Sequence, residues 1–273
     1  MALKGKSPAD TYKDLLQIDN NNNGIASTTK IIKDGLNNTT SCSLSDRRFL
    51  INSQTNNTTA FEVRNSSNAN KFLVDTDNDY VKALGEHVNT QYAHFGVNAI
   101  DGYFGGALDD THYMIPFVTS FANLAVETIA NFAIGTATTS SFNDTEPTDS
   151  LTIATTSASV LPCYWYVPDD ITIDKVEWFT SADAAAGTTI ASYVMKYDLD
   201  KGNSAASGDL SGGVKVAYSG NVTNNGYEQI HYNEMTIDTP NVDAQQVVLF
   251  TFAYDDTEAT DYGISATIKY HLR

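Results

Sequence analysis

The chain has 273 residues and a formal net charge of −17, and its 41% hydrophobic content is sufficient for at least one core. The excess negative charge lies entirely beyond residue 100, because the first hundred residues carry ten basic and ten acidic side chains. No Lys or Arg occurs between Ala83 and Asp174. Nucleic-acid binding and attachment to an anionic membrane are therefore disfavoured, since both depend on cationic groups.

A short helix is predicted near the N-terminus. Ser7 supplies an N-cap hydroxyl and Pro8 suits the first helical position. The apolar residues that would share one face of this helix are Tyr12, Leu15 and Leu16. A helix of about ten residues is marginal alone in water. We therefore expect residues 1–36 to be an anchor segment that docks on sister chains or on a larger particle.

Residues 37–82, the larger part of a segment assigned as residues 37–100, carry very short apolar runs between Asn, Ser and Asp clusters, which predicts strands of three to five residues. Phe61 alternates with Val63, and Phe72 with Val74. The apolar residues are too few for a self-contained core, and such a polar segment could be disordered. A small monomeric domain is a second alternative. We expect an intertwined oligomeric β shaft instead, because copies of such a segment can pool their apolar side chains around an axis.

Residues 101–150 are interpreted as a neck or connector, and their structure is left open. Ser120–Phe132 has helical apolar spacing, but its Val, Thr and Ile content suits strands equally well. The apolar stretch from Val118 to Ile134 is interrupted by polar residues, so membrane insertion is not predicted.

About eight β-type runs follow one another in residues 151–273, with Gly, Asn and Asp turns between them. The run from Ile264 to Tyr270 alternates without a fault, whereas residues 246–254, QVVLFTFAY, are apolar on both faces and should form a central strand. Eight antiparallel strands predict a two-sheet, jelly-roll-like β-sandwich as a C-terminal head. The predicted fold class is therefore mostly β.

Motifs that would indicate catalysis are missing from the sequence. It contains no nucleophile elbow, zinc-protease, phosphate-loop, dinucleotide or kinase motif, and its five His show no ligand spacing. Three acidic pairs, Asp109 with Asp110, Asp169 with Asp170 and Asp255 with Asp256, could serve glycoside hydrolysis only across a cleft. Neighbouring side chains in a strand point different ways, so we predict no enzyme. Cys42 and Cys163 imply neither a disulfide framework nor a zinc site.

Two segments partly match calcium-binding loops. Asp19–Gly24 fits the first half of the pattern, but Lys30 occupies the twelfth position, where a bidentate Glu is required. A second set, Asp75, Asp77, Asp79 and Glu86, has acids at suitable spacing. There Tyr80 stands where the loop needs Gly. Because each segment lacks one necessary residue, no metal or other cofactor is predicted, and Ca²⁺ is unsupported by a complete motif.

Aromatic side chains of the head could form a platform for sugar rings, although core packing explains most of them equally well. The candidates are Tyr164, Trp165, Tyr166, Trp178, Phe179, Tyr193, Tyr197 and Tyr232. Tyr164, Trp165 and Tyr166 are consecutive, and a strand sends successive side chains to opposite faces. At least one of these three should therefore be exposed, and they are the predicted receptor-binding or sugar-binding residues.

Several segments resemble fibre proteins of marine tailed bacteriophages. They are LKGKSPADTYKDLLQIDNNNNGI, AFEVRNSSNANKFLVDT, WYVPDDITIDKVEWF, and VVLFTFAY with ISATIKYHLR. The resemblance implies a homotrimeric virion appendage, with its N-terminus bound to other virion proteins, a slender shaft and an outward-facing β-sandwich knob. It implies a tail fibre or receptor-binding protein that adheres to a host-surface glycan or protein. Because the opening residues lack an apolar signal stretch, we expect synthesis in the host cytoplasm without a signal peptide.

Three other functions remain open on the sequence. A capsid-bound head fibre or decoration protein of the same kind of phage would share all these features. A polysaccharide-degrading tailspike would need clustered carboxylates in a cleft. A monomeric carbohydrate-binding module would leave the polar beaded segment, residues 37–82, unexplained.

Overall fold

The computed structural model describes residues 16–21, 23–98, 112–117, 133–134, 146–147, 149–152, 160–182, 186–254 and 262–273. These residues are mostly β-strands, which confirms the β-rich fold class. The chain divides into two compact units, Met1–Val88 and Asn89–Arg273. Within the described ranges, no helix combines the length and apolar character that crossing a bilayer requires.

The first unit contains two four-stranded antiparallel sheets, each a meander in which sequence neighbours pair. The first sheet is β1 (Gln17–Ile18), β2 (Lys30–Lys33), β3 (Thr39–Leu44) and β4 (Phe49–Ile51). The second is β5 (Phe61–Arg64), β6 (Asn70–Asp75), β7 (Tyr80–Ala83) and β8 (Glu86–His87). Polar side chains close the turns: Asp34 Oδ1 accepts hydrogen bonds from the backbone N–H groups of Leu36 and Asn38, at 2.9 and 2.8 Å.

Each meander gathers apolar side chains on one face, because strand residues alternate and the registers bring like positions together. In the second sheet this face consists of Phe61, Val63, Phe72, Val74, Val81 and Ala83. In the first sheet it includes Cys42, Leu44, Phe49 and Ile51. We call these surfaces the two apolar meander faces. Among the described residues of this unit only Ser45 and Asp75 are buried, and neither is hydrophobic.

The predicted N-terminal helix lies largely outside the described residues, as do Tyr12 and Leu15. Leu16 is described and is exposed. Gln17 and Ile18, which follow it, pair with Lys33 and Ile32 in an antiparallel ladder. Ser120–Phe132, whose structure was left open, also falls outside the described part of the chain.

The second unit contains two antiparallel sheets. The five-stranded sheet has the order β17-β13-β21-β9, with β19 also paired to β13. Its strands are β9 (Thr90–Asn98), β13 (Ile171–Ala182), β17 (Gln229–Glu234), β19 (Asn241–Val242) and β21 (Tyr262–Leu272). Its order places β17 and β9 at the two ends of the main path.

The eight-stranded sheet has the order β11-β10-β20-β14-β15-β18, with β12 paired to β20 and β16 paired to β14. Its first strands are β10 (His112–Ile115), β11 (Ala133–Ile134), β12 (Trp165–Tyr166) and β14 (Ala186–Leu199). The others are β15 (Leu210–Tyr218), β16 (Val222–Asn225), β18 (Thr236–Ile237) and β20 (Gln246–Tyr254). A short 3-10 turn at Leu161–Cys163 precedes β12.

The two sheets of this unit pack face to face around one aromatic core. Phe95 of β9 stacks on Phe250 of β20 with ring centroids 5.8 Å apart, and Trp178 of β13 meets Phe252 edge-on at 6.3 Å. Such packing of two antiparallel sheets is that of a β-sandwich. As expected from its doubly apolar sequence, β20 lies inside its sheet, between β10 and β14, and Val247–Ala253 are buried throughout.

The second unit begins earlier than the sequence predicted. Strand β9 lies within residues 37–100, which were assigned to the shaft, yet it pairs with β21 along its whole length. It buries Ala93, Phe95 and Val97. Strand β10, within the predicted connector 101–150, joins the eight-stranded sheet. Both boundaries differ because strand partners far along the chain, not the polar sequence nearby, decide where a short apolar run is buried.

Candidate functional site

The exposed face of the five-stranded sheet carries an unusual concentration of apolar side chains. Along β13, Trp178 and Thr180 point into the core and are fully buried, so the alternation of a strand sends Phe179 and Ser181 outward. The Phe179 side chain is 48% exposed. A large aromatic ring therefore stands on the solvent side of a central strand.

Strand β17, beside β13, has the reverse of the ordinary burial pattern. Ile230 and Tyr232 are 72% and 53% exposed. The polar residues between and beside them, Gln229, His231 and Asn233, are half-buried. An antiparallel sheet with one solvated face normally places polar residues outward and apolar residues inward. Exposed apolar groups in a cluster indicate an interaction surface.

Phe179 and Tyr232 are cross-strand neighbours, and their ring centroids lie 5.1 Å apart with the planes inclined at 47°. Together with Ile230 they form what we call the aromatic platform. The hydroxyl of Tyr232 donates a hydrogen bond of 2.7 Å to Glu177 Oε1. Lys175 Nζ donates to the same oxygen at 2.7 Å and lies 3.2 Å from a carboxylate oxygen of Glu234. This network holds the Tyr232 ring in place.

Two groups of this network have shifted pKa values, Glu177 and Tyr232. Hydrogen bonds from Lys175 and then from Tyr232 lower the pKa of Glu177 below its ordinary value of 4.5, against a smaller opposing effect of desolvation. The hydrogen bond to Glu177 raises the pKa of Tyr232, so its phenol keeps its proton and remains a donor. Glu177 is therefore a fixed anionic acceptor beside the aromatic rings.

A shallow depression of about 390 Å³ lies beside the platform. Phe179 and Ile230 border it, and Ser181, Gly263 and Ser265 contribute to its lining. The backbone N–H of Gly263 donates to Ser181 Oγ at 3.0 Å, which orients that hydroxyl. The surface thus combines flat apolar groups with hydroxyl groups and a carboxylate, which are groups found in ligand-binding sites.

The structure separates the three residues predicted as the receptor-binding site. Trp165 is only 6% exposed, and its ring stacks on Phe117 at a centroid distance of 5.9 Å, so its assignment to a binding surface is wrong. Tyr164 is half-buried, and its hydroxyl donates to the carbonyl of Gly208 at 3.0 Å. Tyr166 alone of the three is exposed. Successive residues here alternate between core and surface, as strand geometry requires.

The other aromatic candidates divide in the same way. Trp178, Tyr193 and Tyr197 are fully buried in the core, whereas Phe179 and Tyr232 are exposed. Sequence reasoning missed Ile230 as a member of the surface. The signal was present in QIHYNE, residues 229–234, where apolar and polar residues alternate, but the sequence does not show which set faces the core.

The partial calcium loops have other roles in the first unit. Asp75 is buried, and its Oδ1 accepts hydrogen bonds of 2.9 Å from the backbone N–H groups of Asp77 and Asn78. Its other oxygen accepts from the Asn78 side chain at 2.9 Å. Burial opposes ionisation of Asp75, but these hydrogen bonds prevail and its pKa is lowered. Asp19, in the other segment, forms an ion pair with Lys33 at 2.8 Å.

Of the acidic pairs, only Asp169 with Asp170 lies within the described residues, and Asp170 Oδ1 accepts a hydrogen bond of 2.7 Å from the backbone N–H of Ala244. That contact gives Asp170 a structural role at the end of the sandwich.

Comparison with protein-family models, with curated proteins and with solved structures finds no match to this chain.

Proposed function

We propose that this chain is a structural virion protein of a tailed bacteriophage, a homotrimeric tail fibre or receptor-binding appendage that mediates adhesion to the host surface. The observation that carries the proposal is the contrast between the two units. The described part of the second unit has a large hydrophobic core, whereas the described part of the first buries no hydrophobic side chain. The phage assignment is supported by the resemblance of the anchor, shaft and head segments to phage fibre proteins.

The described residues of the first unit do not provide the packing that would hold a single chain folded. Its apolar side chains line the two meander faces, but Phe49, Phe61 and Val63 remain exposed there. Ordering a residue costs about 1–2 kcal/mol in backbone entropy, and this cost has to be offset by apolar burial. A meander whose apolar face stays in solvent gains little of the burial that offsets this cost. Three copies around one axis would cover each other's apolar faces and supply the missing burial.

The second unit suits the target-binding part of such an appendage. Its described residues form a large hydrophobic core within one chain, and exposed apolar groups remain on its surface. A weak contact repeated in three copies gains about 10²- to 10⁴-fold in avidity through effective concentration. Adhesion of this kind requires no chemical reaction, and the proposed protein acts as a binding protein and not as an enzyme.

Sedimentation equilibrium of the whole protein tests the assembly. Three copies of the 29.6 kDa chain should give a mass of about 89 kDa. A single species near 30 kDa at micromolar concentration would refute the fibre. Immunogold labelling of virions tests the location: label should appear on projections of the tail or the capsid, and purified virions without label would refute the virion assignment.

A further inference from the structure

We propose that the aromatic platform is a carbohydrate site that binds one neutral pyranose unit against Phe179 and Tyr232. Because it rests on the proposed adhesive function, this inference deepens that function by naming the class of ligand at the host surface. The aromatic residues involved differ from Tyr164, Trp165 and Tyr166, which the sequence favoured.

The geometry of the platform matches the two faces of a sugar. A pyranose has an apolar C–H face and a rim of hydroxyl groups, and exposed aromatic rings pack against the C–H face. Phe179 and Tyr232 are about half exposed and their rings are 5.1 Å apart, so a sugar ring can contact both. The adjoining depression of about 390 Å³ is within the size range of small-ligand sites.

Polar groups lie on both sides of the stacking ring. Residues two apart on a strand are separated by about 6.6 Å along it. Glu177 and Ser181 therefore flank Phe179 on the same face of β13, one as an ionised acceptor and the other as a hydroxyl. Ser265, paired with Phe179 across β21, adds a second hydroxyl. Sugar hydroxyls at the rim would find partners at these positions.

The platform is also preorganised. The Tyr232 hydroxyl is held by Glu177, which is held in turn by Lys175. A ring that is already fixed loses little rotamer entropy on binding, and this loss is a main cost of association. The reversed pattern of β17 contributes as well, because it keeps Ile230 and Tyr232 in solvent, where a ligand can cover them.

Charge identifies a neutral sugar as the favoured occupant. Glu177 and Glu234 are directly opposed across two strands and share one Lys175, and the whole chain carries a net charge of −17. An acidic polysaccharide would be repelled by these carboxylates, as would the same face of a second copy of this chain. A protein partner would in addition need a contact of about 1,000 Å² or more, whereas the exposed apolar groups of the platform are only three side chains, Phe179, Ile230 and Tyr232.

Saturation-transfer NMR on the whole protein tests the site. The probes are the methyl glycosides of glucose, galactose, mannose and N-acetylglucosamine, each at millimolar concentration. At least one should receive saturation at its ring C–H protons. Phe179→Ala and Tyr232→Ala should weaken that binding at least tenfold. Tyr232→Phe keeps the ring but loses the hydrogen bond to Glu177, so it should weaken binding less.

Tyr227→Ala is the matched control, because Tyr227 is an exposed aromatic residue just before β17 and lies off the platform. It should leave binding unchanged. Absence of transfer to all four glycosides would overturn the inference, as would transfer that is equal in Phe179→Ala and the unaltered protein. A change of mass in Phe179→Ala would also overturn it, by showing that a second copy occupies the platform.

The outcomes separate this inference from the fibre proposal. A mass of about 89 kDa without sugar binding refutes only the carbohydrate site. A mass near 30 kDa with sugar binding that depends on Phe179 refutes only the fibre. Thermal unfolding of each variant shows whether the sandwich is folded, and Tyr232→Phe, which removes a single oxygen, keeps the test valid if an alanine variant fails to fold.

Discussion

Replacing Phe61 by serine should separate the proposed trimer into smaller species. Phe61 lies on the apolar face of the second meander and is 39% exposed in the single chain. A Phe side chain presents roughly 200 Å², so about 80 Å² would be covered only by assembly. At about 25 cal/mol per Å² this is ~2 kcal/mol for each chain, or ~6 kcal/mol for a trimer.

A loss of ~6 kcal/mol corresponds to more than four orders of magnitude in the trimer association constant. The trimer association constant is the trimer concentration divided by the cube of the monomer concentration. The total concentration at half-dissociation therefore varies with the inverse square root of that constant and should rise roughly 150-fold. Sedimentation equilibrium over a wide concentration range measures it. The matched control is Leu73→Ser, since Leu73 lies on the opposite face of the same sheet, between Glu62 and Lys82.

Leu73→Ser should change the half-dissociation concentration less than threefold. If both serine variants changed it equally, the apolar meander face would have no special role in assembly. If neither variant changed it, and the unaltered protein stayed assembled, residues outside the meanders would hold the chains together. Either result refutes the reasoning from exposed apolar surface.

Three further predictions concern thiols, pH and the core. Burial raises the pKa of Cys163 to about 12, so a disulfide reagent should leave Cys163 intact in the folded protein. Cys42 lies on an apolar meander face and should react faster on dilution, because the chains then separate. Reaction of Cys42 at a rate independent of protein concentration would contradict this. Partial burial lowers the pKa of His231 below its ordinary 6.5, so protonation of this side chain favours the unfolded chain. The melting temperature should therefore be steady above pH 7 and decrease as the pH falls below 6.5. His231→Gln should flatten that decrease. An unchanged pH slope in His231→Gln would show that another group causes it. Phe250→Ala removes a fully buried ring and should destabilise the sandwich by about 3–5 kcal/mol, measured by urea unfolding with Trp fluorescence, without changing the mass of the assembly.

The strands that the sequence predicted well are those whose own pattern determines their environment. Strand β20 is apolar at nearly every position, so only a place inside a sheet buries it, and β21 alternates so regularly that one face had to be the core. Strand β9 was assigned to the shaft because its neighbours in sequence are polar. Its burial depends on β21, more than 160 residues later in the chain, and no local pattern contains that partner.

The candidate site was only half predictable for a related reason. Phe179 and Tyr232 were among the aromatic candidates. Trp178 was also among them, but this residue, which directly precedes Phe179 in β13, lies in the core. Which of two neighbouring rings faces solvent depends on the register of β13 against β21. A shift of one residue would exchange the two faces, and register is set by pairing across the sheet.

The reversed burial pattern of β17 has a consequence for how this surface can evolve. Ile230 and Tyr232 project away from the interior, and substitutions at such positions usually alter folding free energy by no more than about 0.5 kcal/mol. Selection can therefore rewrite these positions freely while the scaffold beneath keeps its melting behaviour. Under the proposed adhesive function, changes of ligand preference should therefore accumulate at exposed positions of β17 without loss of folding stability.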